Sequence, residues 1–297
     1  MLDTVFIGLS IGSILLLVAL GLSIVYGSMG VINMAHGELV MMGAYTTVLA
    51  QTYLGFNLFA AIPLAFLVCA GLGLLIEKLV IRRLYNRLFD TLLATWGVAI
   101  LLQQAIRLEF GLSFFGIHID GLGPGLQSVT LPEIMTESFT VGEFVIQPYR
   151  TFIILVSALL ALLTWFVMYR TRIGQQVRAI MRNPDMAAAC GIDVKKVNAL
   201  TFAYGAGLAG VAGVMMSGFK TVMPDMGSSL VVDGFLVVVV GGVGSLVGSI
   251  VASGILGQLN GVVAFFSNDI IARAVVFAAV IAIIIWRPRG LFNYKGR

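Results

Sequence analysis

Charge is scarce in this sequence. Asp, Glu, Lys and Arg together make up 11% of 297 residues, against 59% apolar side chains. A soluble domain carries about 25% charged residues, so this chain cannot clothe a water-facing globule and belongs in a lipid bilayer. Cysteine is scarcer still: Cys69 and Cys190 stand alone, too few for a disulfide framework or a metal cluster. Two histidines exclude a His-rich metal site. No Gly-Lys dipeptide occurs, so the phosphate-cradling P-loop is absent and this chain does not hydrolyse ATP by that route. An arginine ladder and a Thr-Val-Gly-Tyr-Gly filter are both missing, as are the paired carboxylates or Asp/Lys relay of a proton- or sodium-driven pump. No nucleophile is placed with a base as an enzyme would need. The first residues, Met1-Leu2-Asp3-Thr4, carry no basic n-region and no cleavage site follows, so the first apolar stretch is expected to be a retained span.

What the chain does have is glycine, 35 residues of it, and long apolar runs. A span needs roughly 17–25 mainly apolar residues. Nine stretches qualify: 5–26, 36–53, 58–80, 91–108, 151–169, 197–219, 230–246, 251–266 and 270–286. As one helix, 230–266 would run roughly 55 Å, so Gly241-Gly242-Val243-Gly244-Ser245 is read as a break. The expected fold is an all-α polytopic membrane protein of about nine (8–10) helices, forming a single transmembrane domain over 1–297. The first turns of 36–53 are polar enough for a re-entrant segment.

Basic residues set the orientation. Lys78, Arg82, Arg83 and Arg87 form one group; Arg170, Arg172, Arg178, Arg182, Lys195 and Lys196 a second; Arg287, Arg289, Lys295 and Arg297 a third. Nine spans with the N-terminus outside put all three on one face, leaving only Arg107, Arg150, Lys220 and Arg273 elsewhere. The positive-inside rule makes that face, and the C-terminus, cytoplasmic. The loop 109–149, with Glu109, Asp120, Glu133, Glu137 and Glu143, then faces outward, and its segment 139–146 alternates like a small hairpin. Loop 170–196 is the largest on the inside. Within it Asn183-Pro184-Asp185 reads as N-cap, N1 proline and acidic N2, and Gly191 as the stop. The result is a helix of about two turns over 184–190, bearing Met186 and Ala187. It suits either docking into another protein's groove or lying at the membrane interface.

Small residues recur every fourth position at Ser245, Ser249, Ser253, Gly257 and Gly261, with Gly244, Gly248 and Ala252 beside them; 197–219 carries Ala206-Gly210 and Ala209-Gly213-Ser217. Such seams mark close helix contact, expected mostly within the chain itself. Polar groups at membrane depth are costly and therefore functional candidates. In Asn33-Met34-Ala35-His36-Gly37-Glu38, the side chains of Asn33, His36 and Glu38 converge only if the helix breaks near Gly37; they are then either a broken helix end on a transport path or a satisfied cap. Trp96, Ile100, Gln103 and Arg107 form a stripe with Gln104 beside it; the glutamines either bind a neutral polar solute or glue helices. Arg107 snorkels outward, Asp233 sits in the dipole-favoured first turn of 230–246, and Asn260 bridges helices or touches a pore.

The block Tyr26-Gly27, Val31-Ile32-Asn33-Met34-Ala35-His36-Gly37-Glu38 and Met42-Gly43-Ala44 resembles the signature of the branched-chain amino acid type of ABC-importer permease. Gly241–Gly248, Arg178–Ala199 and Arg287-Pro288-Arg289-Gly290-Leu291 are similar to that family too. Ala94-Thr95-Trp96-Gly97-Val98 with Leu102-Gln103-Gln104, and the tail Trp286–Arg289 with Lys295-Gly296-Arg297, look most like the urea-importer permease. The resemblance implies a bacterial inner-membrane import system: a second permease, two cytoplasmic ATPases using ATP and Mg, and a periplasmic solute-binding protein, with no cofactor on this chain. It makes Arg182, Asn183, Pro184, Asp185, Met186, Ala187 and Gly191 the ATPase coupling element, and Asn33, His36, Glu38, Trp96, Gln103, Gln104 and Asn260 the solute path. Transport would be by alternating access. Urea is the expected solute; a branched-chain or neutral amino acid or short amide is the alternative, and a stand-alone facilitator the alternative of another class.

Overall fold

The computed structural model describes residues 2–85, 87–107, 125–141, 144–288 and 290–292. Among them twelve helices follow in order: α1 (Leu2–Met29), α2 (His36–Leu54), α3 (Leu58–Leu79), α4 (Leu88–Arg107), α5 (Glu133–Thr136), α6 (Pro148–Arg170), α7 (Arg172–Arg182), α8 (Pro184–Ala189), α9 (Val194–Ser217), α10 (Met226–Gly241), α11 (Leu246–Phe266) and α12 (Asp269–Trp286). Strands β1 (Phe139–Val141) and β2 (Phe144–Ile146) pair antiparallel between α5 and α6, forming the hairpin expected over 139–146. Glu109, Asp120, Glu143, Arg289, Lys295 and Arg297, all used in the charge argument, lie outside the described residues.

Helix boundaries follow from capping chemistry. The side chains of Asn57, Thr171, Asp193, Ser245 and Asn268 each accept a backbone N–H three residues on, opening α3, α7, α9, α11 and α12. Gly55, with φ 62°, closes α2. Each of the nine expected spans coincides with a helix, and seven of these are long and apolar enough to cross a membrane. The other two are α2, too polar, and α10, too short at 16 residues. The polarity of α2 has a physical cause: most of its surface is buried in protein, so lipid does not demand apolar side chains there. The amphipathic α7, buried along Gly174, Val177, Ile180 and Met181, was not expected from the hydropathy pattern.

The chain divides into two compact units. The first holds residues up to 28, 133–192 and 233 onward. In it α1 meets α11 backbone to backbone: a Cβ on Gly257 would stand 2.4 Å from Gly12 Cα, and one on Gly261 2.7 Å from Gly8 Cα. With Ser249 and Ser253 also buried, the Ser253–Gly257–Gly261 seam packs on this chain's own first helix. The Gly241–Gly244 break is also as expected, with φ of 97° at Gly242 and 76° at Gly244. The Leu291 and Phe292 N–H groups donate to the Val240 and Gly241 carbonyls at 2.7 and 3.1 Å, supplying partners that the end of α10 lacks within its own helix.

The second unit holds 29–132 and 193–232. Its centre is α9, packed on α2 and α3 through Gly210, Gly213, Gly43 and Gly73, where added methyl groups would meet neighbours at 2.7 Å or less. The side chain of Gln51 ties the end of α2 to Thr130 by three hydrogen bonds of 2.8–3.1 Å.

Candidate functional site

The site forms where the chain enters α2. Gly30, with φ 65°, ends the helical run, and residues 30–35 are not helical. The Asn33 side-chain oxygen accepts from the Ala35 N–H at 3.1 Å. The Met34 N–H donates to Thr95 Oγ1 of α4 at 3.1 Å, and Thr95 donates to Thr91 O at 2.8 Å. Thr95 lies seven residues into α4, about 10 Å along its axis. The start of α2 is therefore level with the interior of a spanning helix.

The helix breaks just ahead of Gly37, over 30–35, near where the sequence reading put it. The helix α2 runs from His36 onward, and the break precedes it. Gly37 is required instead for contact: its added Cβ would stand 2.2 Å from the Gly227 carbonyl oxygen, and the converse distance is also 2.2 Å. The first turns of α2 and α10 thus touch, and both N-terminal dipoles favour an anion nearby.

The carboxyl group there is that of Glu38, 2% exposed. Its Oε1 accepts from Gln103 Nε2 at 2.8 Å and from Ser228 Oγ at 3.1 Å, and Gln103 Nε2 also lies 3.0 Å from Ser228 Oγ. Its Oε2 is buried and accepts no hydrogen bond among the described residues. Arg107 and Asp225 act on it electrostatically with opposite signs. An apolar cluster of Met41, Ala44, Tyr45, Val48, Ile106 and Val222 lies in the same unit, along α2 beyond this point.

Asn33, His36, Glu38 and Gln103 are thus gathered in one unit, though Asn33 turns back to cap while Glu38 reaches α4 and α10. Trp96, 55% exposed, and Gln104 point away on the outer face of α4. Asn260 is half-buried on α11, in the other unit. Asp233 lies in the second turn of α10, not the first, and pairs with Arg273 at 3.4 Å. Sequence reasoning missed Ser228, whose signal was the Ser228-Ser229 pair at a helix start, and Thr95. It also missed Glu77, a buried carboxylate in α3. Arg82 holds Glu77 by two bonds of 3.1 and 2.9 Å, and the Tyr85 hydroxyl donates to it. Burial first, then the bond to Glu77 and its charge, push the Tyr85 hydroxyl well above the usual range, keeping it a donor.

In the first unit the loop helix α8 is built as expected. Asn183 Oδ1 accepts from the Asp185 and Met186 N–H groups at 3.1 and 3.0 Å, and Pro184 takes the first turn. Gly191, at φ 83°, lets the Ile192 N–H return to the Ala187 carbonyl at 3.1 Å. Ala187 is buried, whereas Met186 is 63% exposed.

A polytopic chain whose broken helix entry surrounds buried polar groups has the build of a membrane transport protein, and sequence comparison gives the kind. The family described as branched-chain amino acid transport system / permease component matches residues 4–285. The high-affinity branched-chain amino acid transport system permease protein BraD of Pseudomonas aeruginosa is 31% identical over 96% of this chain and 94% of its own length. LivH of Escherichia coli, of the same description, is 32% identical over 98% and 95%. The probable branched-chain amino acid transport permease protein LivH of Methanocaldococcus jannaschii is 26% identical over 92% and 84%. No solved structure matches. The chain belongs to this permease family and is a multi-pass protein of the inner membrane. Its relatives are transport components rather than enzymes, and they favour the amino-acid reading over urea. Of the residues that suggested urea, Thr95 holds the α2 entry and Gln103 belongs to the Glu38 cluster, while Trp96 and Gln104 lie outside it.

Proposed function

We propose that this chain is the permease subunit of an ABC importer for branched-chain or similar neutral amino acids. The observation that carries the reading is the Glu38–Gln103–Ser228 cluster, set at depth beside a broken helix entry in a chain of this permease family. Broken helices at mid-depth are where transporters bind solute, because exposed helix ends and freed polar groups replace lost hydration. A second permease would complete the path, two cytoplasmic ATPases would drive it, and a periplasmic binding protein would deliver solute. The N-terminus is outside and the C-terminus cytoplasmic. ATP-driven closure of the ATPase pair presses on α8, and the spans rock in alternating access.

The test is uptake by the complex reconstituted in vesicles. ATP-dependent accumulation of leucine, abolished without the ATPase subunits, is the expected result. Accumulation of urea in place of leucine would restore the urea reading, and passive flux through this chain alone would make it a facilitator.

A further inference from the structure

We infer that Glu38 is the substrate-recognition residue that receives the ammonium group of a free amino acid, through its Oε2; this rests on the amino-acid reading above. Oε1 is already committed, accepting from Gln103 Nε2 at 2.8 Å and Ser228 Oγ at 3.1 Å. These two bonds fix the carboxylate plane and leave Oε2 as the side to be filled. Oε2 is buried and accepts nothing among the described residues, which is an expensive state for a carboxylate at membrane depth unless a donor arrives. The surrounding charge points to a cation. Among the described residues, Glu38 and Asp225 are two carboxylates against the guanidinium of Arg107, and Arg107 acts through space without an ion pair to Glu38. Among these described groups, the local balance is thus one positive charge short.

An ammonium group supplies that charge together with three N–H donors. One donor meets Oε2, and Ser228 Oγ, 3.1 Å from Oε1, is a further acceptor beside it. Urea brings donors without charge, and an N-acylated amino acid has lost the cation, so neither completes the cluster. Thr95 and the Gly37–Gly227 contact hold the two helix entries that carry Glu38 and Ser228, so the acceptor is positioned before solute arrives.

The variant Glu38→Gln keeps an oxygen for Gln103 and Ser228 but puts an NH2 group where Oε2 stands. In the reconstituted complex, leucine uptake is expected to fall at least tenfold, while ATP hydrolysis stimulated by the binding protein stays within twofold of wild type. Wild-type uptake by Glu38→Gln overturns the inference. If that variant does not assemble, the wild-type complex is treated with an apolar carbodiimide and labelling of Glu38 is followed by peptide mass. Leucine should slow labelling at least threefold and N-acetylleucine should not; equal protection by both, or by neither, overturns the inference. A wild-type complex that accumulates no leucine refutes the amino-acid reading itself, whereas leucine uptake that ignores Glu38→Gln refutes only the role of Glu38.

Discussion

Replacing Asn183 by alanine removes the side-chain oxygen that accepts two backbone N–H groups, at 3.1 and 3.0 Å, from the first turn of α8. An N-cap of this type contributes about 1 kcal/mol. In a long buried helix that loss would be absorbed. Here α8 has six residues, far below the roughly 12–15 at which a helix stands alone in water, and Ala187 is its one buried side chain. The helical loop therefore has little else to hold it, and about 1 kcal/mol lowers its folded-to-unfolded ratio roughly fivefold. If α8 transmits the stroke of the ATPases, ATP-driven leucine uptake in the reconstituted complex drops, by at most about that factor, while hydrolysis per solute moved rises. Asn183→Asp, which keeps a capping oxygen, should restore uptake. An Asn183→Ala complex with wild-type uptake, or an aspartate variant as poor as the alanine one, would refute the reasoning.

Three further outcomes follow from packing and charge. Gly37→Ala places a methyl 2.2 Å from the Gly227 carbonyl and should lower thermal stability in detergent by about 1–3 kcal/mol, whereas Gly71→Ala, whose Cβ meets nothing within 4 Å, should be neutral or mildly stabilising; equal melting of the two variants contradicts the close approach. Glu77→Ala leaves the Tyr85 hydroxyl and Arg82 without their shared acceptor and should cost about 1.5–3 kcal/mol, against under about 1 kcal/mol for Asp90→Ala at the exposed Arg87–Asp90 pair, 3.7 Å apart; thermal denaturation of both variants decides. A membrane-impermeant maleimide should label exposed Cys190, and not buried Cys69, in inside-out vesicles alone; labelling from the other side reverses the orientation.

A helix at each of the nine apolar stretches was legible, though seven of them are long and apolar enough to cross a membrane, because apolar runs, capping residues and a glycine break are local signals. Boundaries slipped where hydropathy fades: α10 begins at Met226 rather than 230, which moves Asp233 out of the first turn and into its pair with Arg273. The amphipathic α7 was hidden because its charged face lowers the average that reveals a span. Gly37 was legible as special but not in its purpose, since a glycine that breaks a helix and one that touches another backbone are the same letter. The site was half legible. Glu38 and Gln103 stand out as polar residues in apolar runs, but their meeting joins positions 65 apart, and Ser228 lies 190 from Glu38, which no local pattern encodes.

The glycine-lined contacts of α9 also determine how the second unit answers a push. Where Gly210 and Gly213 lie against Gly43 and Val40, the surfaces that meet are backbone, with no side-chain rotamers to yield. A rod of 24 residues, about 36 Å long, and continuous in chain with the loop that carries α8, is in this way clamped to the helix that bears Glu38. Such a joint is stiff: a displacement entering at the Asp193 end passes to α2 as movement of the whole rather than being lost in repacking along the way.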